Sequence, residues 1–461
     1  MKPRPKPKKK PGLQLGWKHK TINESILGFN VVSPNDFLVK KKTKRKPWHI
    51  SEMESHLATI APTGTGKGRS AIIPTCLSWE GSMVVIDPKG EAASVTARMR
   101  ENLKNDVVII DPFKIRGDNP ATFNPFDIMD HTDMSIEEFS LLFPSLLHPD
   151  RDYSLLREPF WDLRGDDLIA GIVAYILSAL PKEEQNMTTL RKLIKGGDVV
   201  YNLAVILDTA QEKMSTMAYE NISAFISTED KCRSGILATA QQHFAIYADP
   251  LLEKSLASTS FDLAKLKEGH PMTVYLVLPA NRLASHNALL RIWMSSIIAI
   301  LKSRTVRPQT PTLLMVDEAA QLGRMSALVE CVTLLRGYGV RTWTFWQSKN
   351  QLEKIYGLDA DVILDNCGVV QIFGPNNHKM AESLCGLFGQ KYSAQDLLTL
   401  SRKKQLILTS KGNVKEVMKL DYLKDAKYKG GFDPNPIYGT PADEDENVVT
   451  FGDDQTKENI R

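Results

Sequence analysis

One short segment, residues 61–68, constrains the fold more than any other part of the chain. It reads Ala-Pro-Thr-Gly-Thr-Gly-Lys-Gly and lies between an apolar run, 57–60, and a segment of helical character, 70–79. A strand, a glycine-rich turn and a helix in this order form a P-loop, in which backbone N–H groups and a lysine surround phosphate oxygens. We therefore predict a nucleotide site made by seven consecutive residues, Thr63, Gly64, Thr65, Gly66, Lys67, Gly68 and Arg69.

The segment departs from the usual P-loop pattern at both ends. Ala61 replaces the first glycine, and Gly68 replaces the serine or threonine whose hydroxyl normally binds Mg²⁺. A glycine-rich turn before a buried helix can also be purely structural. The apolar run before the turn and the lysine within it favour a nucleotide site, and the sequence leaves the loop-side Mg²⁺ ligand open.

A second motif supplies the carboxylates that a P-loop needs. The apolar run 312–316 ends in Asp317 and Glu318, which is the pattern of a Walker B segment. We assign Asp317 to the metal and Glu318 to orienting or deprotonating the attacking water. Considered without the P-loop, Asp317 and Glu318 could equally be the N-terminal cap of a helix. The P-loop in the same chain favours a metal and catalytic site.

The order of apolar runs predicts an α/β fold with a mostly parallel sheet. Strand-like runs lie at 56–60, 81–86, 107–110, 272–278, 312–316, 340–346 and 368–373. Helical segments separate them, as in proteins in which helices connect parallel strands. Between 127 and 249 the strand-like runs disappear and helical periodicity dominates, so we predict an all-α domain inserted between two parts of a motor domain, 47–126 and 250–425.

Composition excludes several other classes of protein. The chain has 461 residues, of which 42% are hydrophobic and 24% charged, as in an ordinary globular protein. Five scattered cysteines argue against a zinc site or a disulfide framework. We expect no secretory signal and no membrane span, because no apolar run approaches the ~20 residues that a span requires.

Charge is concentrated at the two ends of the chain. Residues 1–46 contain fourteen Lys and Arg against Glu24 and Asp36, whereas 426–461 is an acidic segment. We expect both ends to be disordered, solvated segments. The basic arm could instead bind nucleic acid phosphates or anionic lipid headgroups.

Two further polar residues lie where a motor would use them. Arg336 precedes Gly-Tyr-Gly after the Walker B segment, and an arginine there can act as a finger on a neighbouring subunit's γ-phosphate. The alternative for Arg336 is a surface ion pair. Gln347 ends the run 340–346 and can sense the γ-phosphate or the attacking water through a hydrogen bond.

The ordered series of motifs resembles the conjugative coupling ATPases of type IV secretion systems, the TraG/TraD type. The resemblance extends over about residues 50–425. The motifs that carry it are residues 61–68, Ile73-Pro74, 87–91 (Asp-Pro-Lys-Gly-Glu), 111–113 (Asp-Pro-Phe), 124–126 (Asn-Pro-Phe), Asp317-Glu318, 336–339 (Arg-Gly-Tyr-Gly) and Gln347-Ser348.

The resemblance implies a RecA-like motor with an all-α domain that faces the cytoplasm. It implies ATP and Mg²⁺ as cofactors and a homohexamer that pumps single-stranded DNA, with its attached relaxase, to the secretion channel. By position, Lys67 would bind phosphate, Asp317 and Glu318 would serve metal and catalysis, Arg336 would be the finger acting in trans, and Gln347 would be the sensor.

One departure from the resemblance concerns the membrane. Many family members begin with membrane-spanning helices, and we expect none in this chain. We therefore expect a cytoplasmic protein that associates peripherally with the inner membrane through channel subunits, a separate anchor protein or the basic arm. Two alternatives to DNA transport remain open: a motor for protein effectors of the secretion system, and a recruitment platform that does not translocate.

Overall fold

The computed structural model describes residues 12–18, 46–50, 55–117, 119–149, 159–389 and 391–439. A single sheet of eleven strands runs through these residues, in the order β2-β1-β11-β10-β9-β3-β8-β7-β4-β6-β5. The strands are β1 Leu13–Lys18, β2 Pro47–Ile50, β3 His56–Ile60, β4 Met83–Asp87, β5 Asp106–Ile110, β6 Met272–Val277, β7 Thr312–Val316, β8 Val340–Trp346, β9 Cys367–Ile372, β10 Lys404–Thr409 and β11 Val414–Met418.

Seven neighbouring strands of this sheet, from β9 to β5, are mutually parallel. Their side chains alternate between two apolar cores. Leu314 and Val316 of β7 belong to the core on one face, whereas Leu313 and Met315 belong to the core on the other. Burial on both faces explains why these strands read as continuous apolar runs in the sequence. The predicted α/β fold with a mostly parallel sheet is confirmed.

The other four strands extend the sheet in antiparallel fashion, and the sequence analysis missed all of them. β10 pairs with β9 and β11, and β11 pairs with β1. The expectation that residues 1–46 form a disordered arm is therefore wrong for β1, whose Leu13 and Leu15 are almost completely buried. The remaining basic residues of the arm lie largely outside the described residues.

The helices follow the predicted alternation. They are α1 Ile73–Cys76, α2 Glu91–Asn102, α3 Ile136–Leu147, α4 Pro159–Ala179, α5 Met187–Lys195, α6 Val199–Thr209, α7 Thr216–Ile226, α8 Asp230–Gln242, α9 Pro250–Ser255, α10 Leu263–Glu268, α11 Leu283–Lys302, α12 Ser326–Leu334, α13 Lys349–Tyr356, α14 Asp359–Asp365, α15 His378–Cys385 and α16 Ala394–Leu398.

Among the described residues between 127 and 249 the regular elements are helices, with α4 at their centre. Helices α3, α7 and α8 all pack against α4. Polar side chains set where several of these helices begin: the side chains of Asn186, Asp198 and Ser215 each accept a hydrogen bond from the first turn of the helix that follows.

The first helix of the region, α3, is packed into the motor as well. It contacts α11, and the fully buried Arg291 of α11 donates a hydrogen bond to the carbonyl of Leu147 at 3.0 Å. Phe126, Phe139 and Phe143 form one aromatic group across the proposed boundary at residue 127. Because α3 packs on α4 as well as on α11, it links the helical region to the rest of the fold, and we propose that a separable helical unit begins after α3 rather than at residue 127.

One helix among the described residues, Ala280–Lys302, is long and apolar enough to cross a membrane by length and composition. Of its most apolar window, 72% is buried inside the protein. It includes α11, whose residues join the larger of the two apolar cores. Burial of this kind is what a core helix shows.

Candidate active site

The P-loop connects β3 to a short helix at the carboxyl edge of the parallel strands. Gly64 and Gly66 adopt φ values of 78° and 89°, which side chains other than glycine rarely tolerate. The N–H of Ala61 donates to the carbonyl of Trp346 on β8, and the N–H of Ser70 donates to the carbonyl of Gly66. These contacts hold the loop in the conformation that the glycine pattern predicts.

The helix after the loop begins with a π-helical turn, Gly68–Ile72, and continues as α1. In this turn the N–H of Ile73 donates to the carbonyl of Gly68, five residues earlier. Pro74 follows and has no N–H to donate, so it cannot bond to the carbonyl four residues before it. The wider turn lies directly at the phosphate-binding residues, as π-turns often do at functional sites.

Three of the predicted site residues form one chain of hydrogen bonds. Lys67 Nζ lies 2.7 Å from Glu318 Oε1 in an ion pair. Gln347 Nε2 donates to the other carboxylate oxygen, Glu318 Oε2, at 2.9 Å. The end of β7 thus meets both the P-loop after β3 and the residue after β8, because β8 lies between β3 and β7 in the sheet.

Glu318 is held in an uncommon backbone conformation. Its φ of 50° and ψ of 47° place it in the left-handed region, and it is one of three residues other than glycine with positive φ among the described residues. Such conformations cost free energy and concentrate at functional sites. The conformation, together with the bonds to Lys67 and Gln347, fixes the direction of the Glu318 carboxylate.

Two further carboxylates lie at the same edge of the sheet. Desolvation raises the pKa of Asp317 to about 7, against the opposing charge of Lys67. Desolvation likewise raises the pKa of Asp87 to about 6, although the N–H of Ala93 donates to this carboxylate at 2.8 Å. Desolvated carboxylates are suited to a cation, whose charge would favour their ionised forms.

Gly68 has no side chain at the position where the usual P-loop hydroxyl would lie, but a carboxylate lies beside that position. A Cβ atom placed on Gly68 would lie 3.7 Å from Glu91 Oε1. Glu91 is the first residue of α2 and faces the cleft. Gly68, in place of the usual serine or threonine, therefore leaves open space beside the Glu91 carboxylate.

Arg69 lies away from the chain of hydrogen bonds formed by Lys67. Its Nε and one terminal nitrogen donate to the two carboxylate oxygens of Asp421 at 2.8 and 3.1 Å. Arg69, which we predicted to belong to the nucleotide site, lines the cleft. Its guanidinium, however, is engaged by a residue that the sequence analysis did not single out.

Asp421 belongs to a segment that we call the C-terminal wall, residues 419–439. Lys419 Nζ donates to the carbonyl of Thr65 at 3.0 Å. Tyr422 and Tyr428 complete a small apolar core with Ile73 of α1. The expectation that residues 426–461 form a disordered tail is therefore wrong for 426–439. The acidic residues from 443 onward lie outside the described residues.

An open cleft of about 300 Å³ lies between the P-loop and the C-terminal wall. On one side it is lined by the loop with Asp87, Asp317 and Glu318, and on the other by residues of the wall. Within the part of the chain that the structure describes, no group of three or more His, Cys, Asp and Glu could hold a metal ion.

Arg336 is not part of this cleft. It is exposed and precedes β8, whereas Gln347 follows β8. The seven residues of that strand span roughly 23 Å at the usual rise per residue. Arg336 therefore lies at the opposite edge of the sheet from Lys67, and within one chain it cannot contact a bound phosphate.

The chain is similar to a known protein family and to several of its members. A family model described as "Type IV secretory system Conjugative DNA transfer" matches residues 18–420. The conjugal transfer protein TraG of Escherichia coli is 27% identical over 372 residues, which are 76% of this chain and 57% of TraG. The coupling protein VirD4 of Bartonella quintana (strain Toulouse) is 26% identical over 350 residues, 73% of this chain and 53% of VirD4.

Solved structures share the fold. The plasmid coupling protein TrwB in complex with a non-hydrolysable ATP analogue superimposes with a TM-score of 0.62 at 17% identity, covering 82% of this chain and 88% of that one. TrwB in complex with ADP and Mg²⁺ gives 0.61 at 16% identity, covering 84% and 90%. The predicted RecA-like fold is confirmed by these likenesses.

The chain spans somewhat more than half the length of the curated relatives, 57% of TraG and 53% of VirD4. The family model nevertheless covers most of its 461 residues, including the P-loop, Asp317, Glu318 and Gln347. The chain belongs to the type IV secretory system conjugative DNA transfer family.

Proposed function

We propose that this protein is the ATP-driven motor of a conjugative coupling protein, which recruits a relaxase attached to single-stranded DNA and pumps that DNA toward a type IV secretion channel. The observation that carries the proposal is the bonding of Glu318 to both Lys67 and Gln347. A carboxylate that is joined to the phosphate-binding lysine at one oxygen and to an amide at the other is arranged for water activation next to a terminal phosphate.

In the proposed mechanism the P-loop N–H groups and Lys67 bind the β- and γ-phosphates. Lys67 then exchanges its bond to Glu318 for one to phosphate. The released Glu318 oxygen accepts a proton from the water that attacks the γ-phosphorus, as the bond from that phosphorus to the β,γ-bridging oxygen breaks and ADP leaves. Gln347 meanwhile holds the carboxylate in place from the other side. The backbone N–H of Glu318 donates to Asp317 Oδ1 at 3.0 Å, which holds the Asp317 carboxylate against the backbone of the next residue.

The residues present also fit a magnesium ion. Mg²⁺ prefers oxygen ligands and is usually held by one or two carboxylates together with phosphate and water oxygens. Asp317 would supply the carboxylate, in keeping with its desolvated position at the end of β7. Bound Mg²⁺ would neutralise charge on the phosphates during transfer.

The proposal includes assembly into a homohexamer. Arg336 is remote from the cleft of its own chain, so a role on the γ-phosphate requires a neighbouring subunit that presents its cleft to this edge of the sheet. We propose a location at the cytoplasmic face of the inner membrane, where channel subunits, or a separate anchor protein, would dock the motor.

The experiment that tests this function measures ATP hydrolysis with and without single-stranded DNA over a salt series. We expect DNA to stimulate hydrolysis and its affinity to fall steeply with salt, because phosphate contacts release counterions. Hydrolysis without DNA binding would contradict DNA transport and favour a motor for protein effectors. Nucleotide binding without hydrolysis would favour a recruitment platform.

A further inference from the structure

The C-terminal wall closes one end of the nucleotide cleft with aromatic and apolar side chains. Tyr422, Leu423 and Tyr438 line the cleft together with the P-loop. The match to the family model ends at residue 420, before these three residues. Neither the P-loop nor the Walker B segment assigns them a role.

The cleft has a direction that can be read from its contacts. The ion pair between Lys67 and Glu318 marks the end that receives the terminal phosphates, because the P-loop lysine reaches the β- and γ-phosphates. Arg69, two residues later, lies against the wall: it donates to Asp421, and its carbonyl accepts from the N–H of Tyr422 at 3.5 Å. The wall therefore stands at the end that receives the ribose and the base.

The wall is fixed by contacts along its length. Arg98 Nε donates to Asp433 Oδ1 at 2.7 Å, and the N–H of Asp433 donates to the carbonyl of Val95 at 3.0 Å. Both Arg98 and Val95 belong to α2, which follows the P-loop helix along the chain. The ring of Tyr422 meets that of Phe432 edge-on, with ring centroids 5.0 Å apart.

Asn435 holds the last turn of the wall. Its side-chain Oδ1 accepts hydrogen bonds from the N–H groups of Ile437 and Tyr438 at 2.9 and 3.2 Å. Its Nδ2 donates to Glu91 Oε1 at 2.7 Å. The turn is thus tied to α2, while 58% of Tyr438 remains exposed at the cleft. An exposed aromatic ring on a fixed turn is suited to stacking.

We propose that Tyr438, in the cleft that Tyr422 and Leu423 also line, forms a nucleobase subsite that binds the base of the nucleotide by stacking. The proposal rests on the proposed nucleotide binding and adds the part of the ligand that the P-loop does not touch. Stacking uses the π-face that every base presents and so discriminates weakly between bases. The Asn435 amide already forms hydrogen bonds through both of its polar atoms, so it contributes little to distinguishing bases by their edges. The subsite therefore favours ATP over inorganic tripolyphosphate but accepts GTP almost equally.

Calorimetric titration tests the subsite with three probes, ATP, GTP and inorganic tripolyphosphate, each with Mg²⁺. Tyr438→Ala is expected to weaken ATP binding by roughly fivefold to a hundredfold, the loss of one base–aromatic stack, and to leave tripolyphosphate binding unchanged. Tyr438→Phe keeps the ring and is expected to bind ATP like the original protein. Tyr201→Ala, which removes an exposed tyrosine from α6, is the matched control.

The outcomes separate the two proposals. If the unaltered protein binds neither ATP nor tripolyphosphate, nucleotide binding itself fails. If it binds ATP but Tyr438→Ala binds ATP and tripolyphosphate in the original ratio, nucleotide binding stands and the subsite is wrong. A strong preference for one of ATP and GTP would also overturn the stacking proposal, because it requires recognition of base edges. Unchanged melting temperatures confirm that each variant is folded.

Discussion

Lys67 and Glu318 lie 251 positions apart in the sequence, and their side chains meet at 2.7 Å. The exposed fractions of the two side chains are 10% and 23%, so water screens the ion pair only in part. This contact joins the two motifs that define a P-loop motor. The roles that we propose for them, phosphate binding by Lys67 and water activation by Glu318, should be separable by mutation.

Lys67→Ala and Glu318→Gln are expected to affect different constants. Removing the lysine should raise the Kd for ATP, because it deletes a phosphate contact. Glu318→Gln keeps the shape and should keep ATP binding, but kcat should fall by about 10²- to 10⁴-fold with the loss of a general base. Steady-state kinetics and nucleotide titration measure both constants. Glu330→Gln, which alters an exposed pair with Lys302, is the control; unchanged turnover in Glu318→Gln would contradict the catalytic assignment.

Gln347→Ala is expected to lower kcat roughly tenfold, with little change in KM, because it frees one oxygen of Glu318 without touching the P-loop. Gln347→Glu should be more harmful, since it would place a second carboxylate where an amide now donates. The exposed Gln395 supplies the control variant, Gln395→Ala. A variant whose KM rises while kcat stays constant would show that Gln347 acts in binding instead.

Arg336 is expected to act on a neighbouring subunit's nucleotide. Arg336→Ala and Glu318→Gln should each be nearly inactive, yet a mixture of the two should recover part of the ATPase activity, because some interfaces then combine an intact arginine with an intact glutamate. Mixing either variant with itself is the baseline. Arg324→Ala removes a different partly exposed arginine, paired with Asp359 on the surface, and should remain active alone. Absence of recovery in stable mixed oligomers would contradict the role in trans.

His56 is expected to weaken the fold in mild acid. Burial lowers the pKa of His56 to about 4, with added repulsion from Arg341 and Arg336. Below pH 6.5 the folded state binds fewer protons at His56 than the unfolded state does. The free energy of unfolding is therefore highest above pH 6.5 and decreases as the pH falls toward 4. The loss amounts to about 3 kcal/mol in the free energy of unfolding. Denaturant unfolding of the original protein and of His56→Asn at pH 4.5 and 7.5 measures it; equal pH dependence in the two proteins would sink the assignment.

Removal of the helical region is expected to succeed or fail according to where the cut is made. The rings of His148 and His243 lie 5.1 Å apart, so a short linker can replace residues 149–242. A deletion of 127–249 instead removes α3, which packs on α11 of the motor. We expect ATP binding to survive the shorter deletion and to be lost with the longer one. If both deletions bind ATP equally well, the proposed boundary after α3 is wrong.

The parallel part of the fold could be predicted because each of its strands is recognisable in the sequence. The buried runs before Asp317 and Gln347 are continuous and apolar, and parallel strands bring the polar residues after them to one edge. Lys67 and Gln347 accordingly both lie within hydrogen-bond distance of Glu318 at this edge. Their roles in hydrolysis stay predictions.

The antiparallel part and the C-terminal wall were missed for physical reasons. β1 is flanked by lysines, and it pairs with β11 at the far end of the chain. The turn 411–413, Lys-Gly-Asn, between β10 and β11 was a usable hairpin signal. The wall has no regular period, because side-chain contacts such as that of Asp421 with Arg69 stabilise it, and no local pattern reports such contacts.

The pairing of the first strand with the last has a consequence for how the protein is made. Trp17 donates through its indole N–H to Asp425, 408 positions later, and β1 takes its place in the sheet beside β11. During synthesis from the N-terminus, β1 can pair early only with β2, and its other edge must wait for β11 until nearly all of the chain has left the ribosome. The base end of the nucleotide cleft is completed in the same final moments, so a prematurely terminated chain could not form the full site.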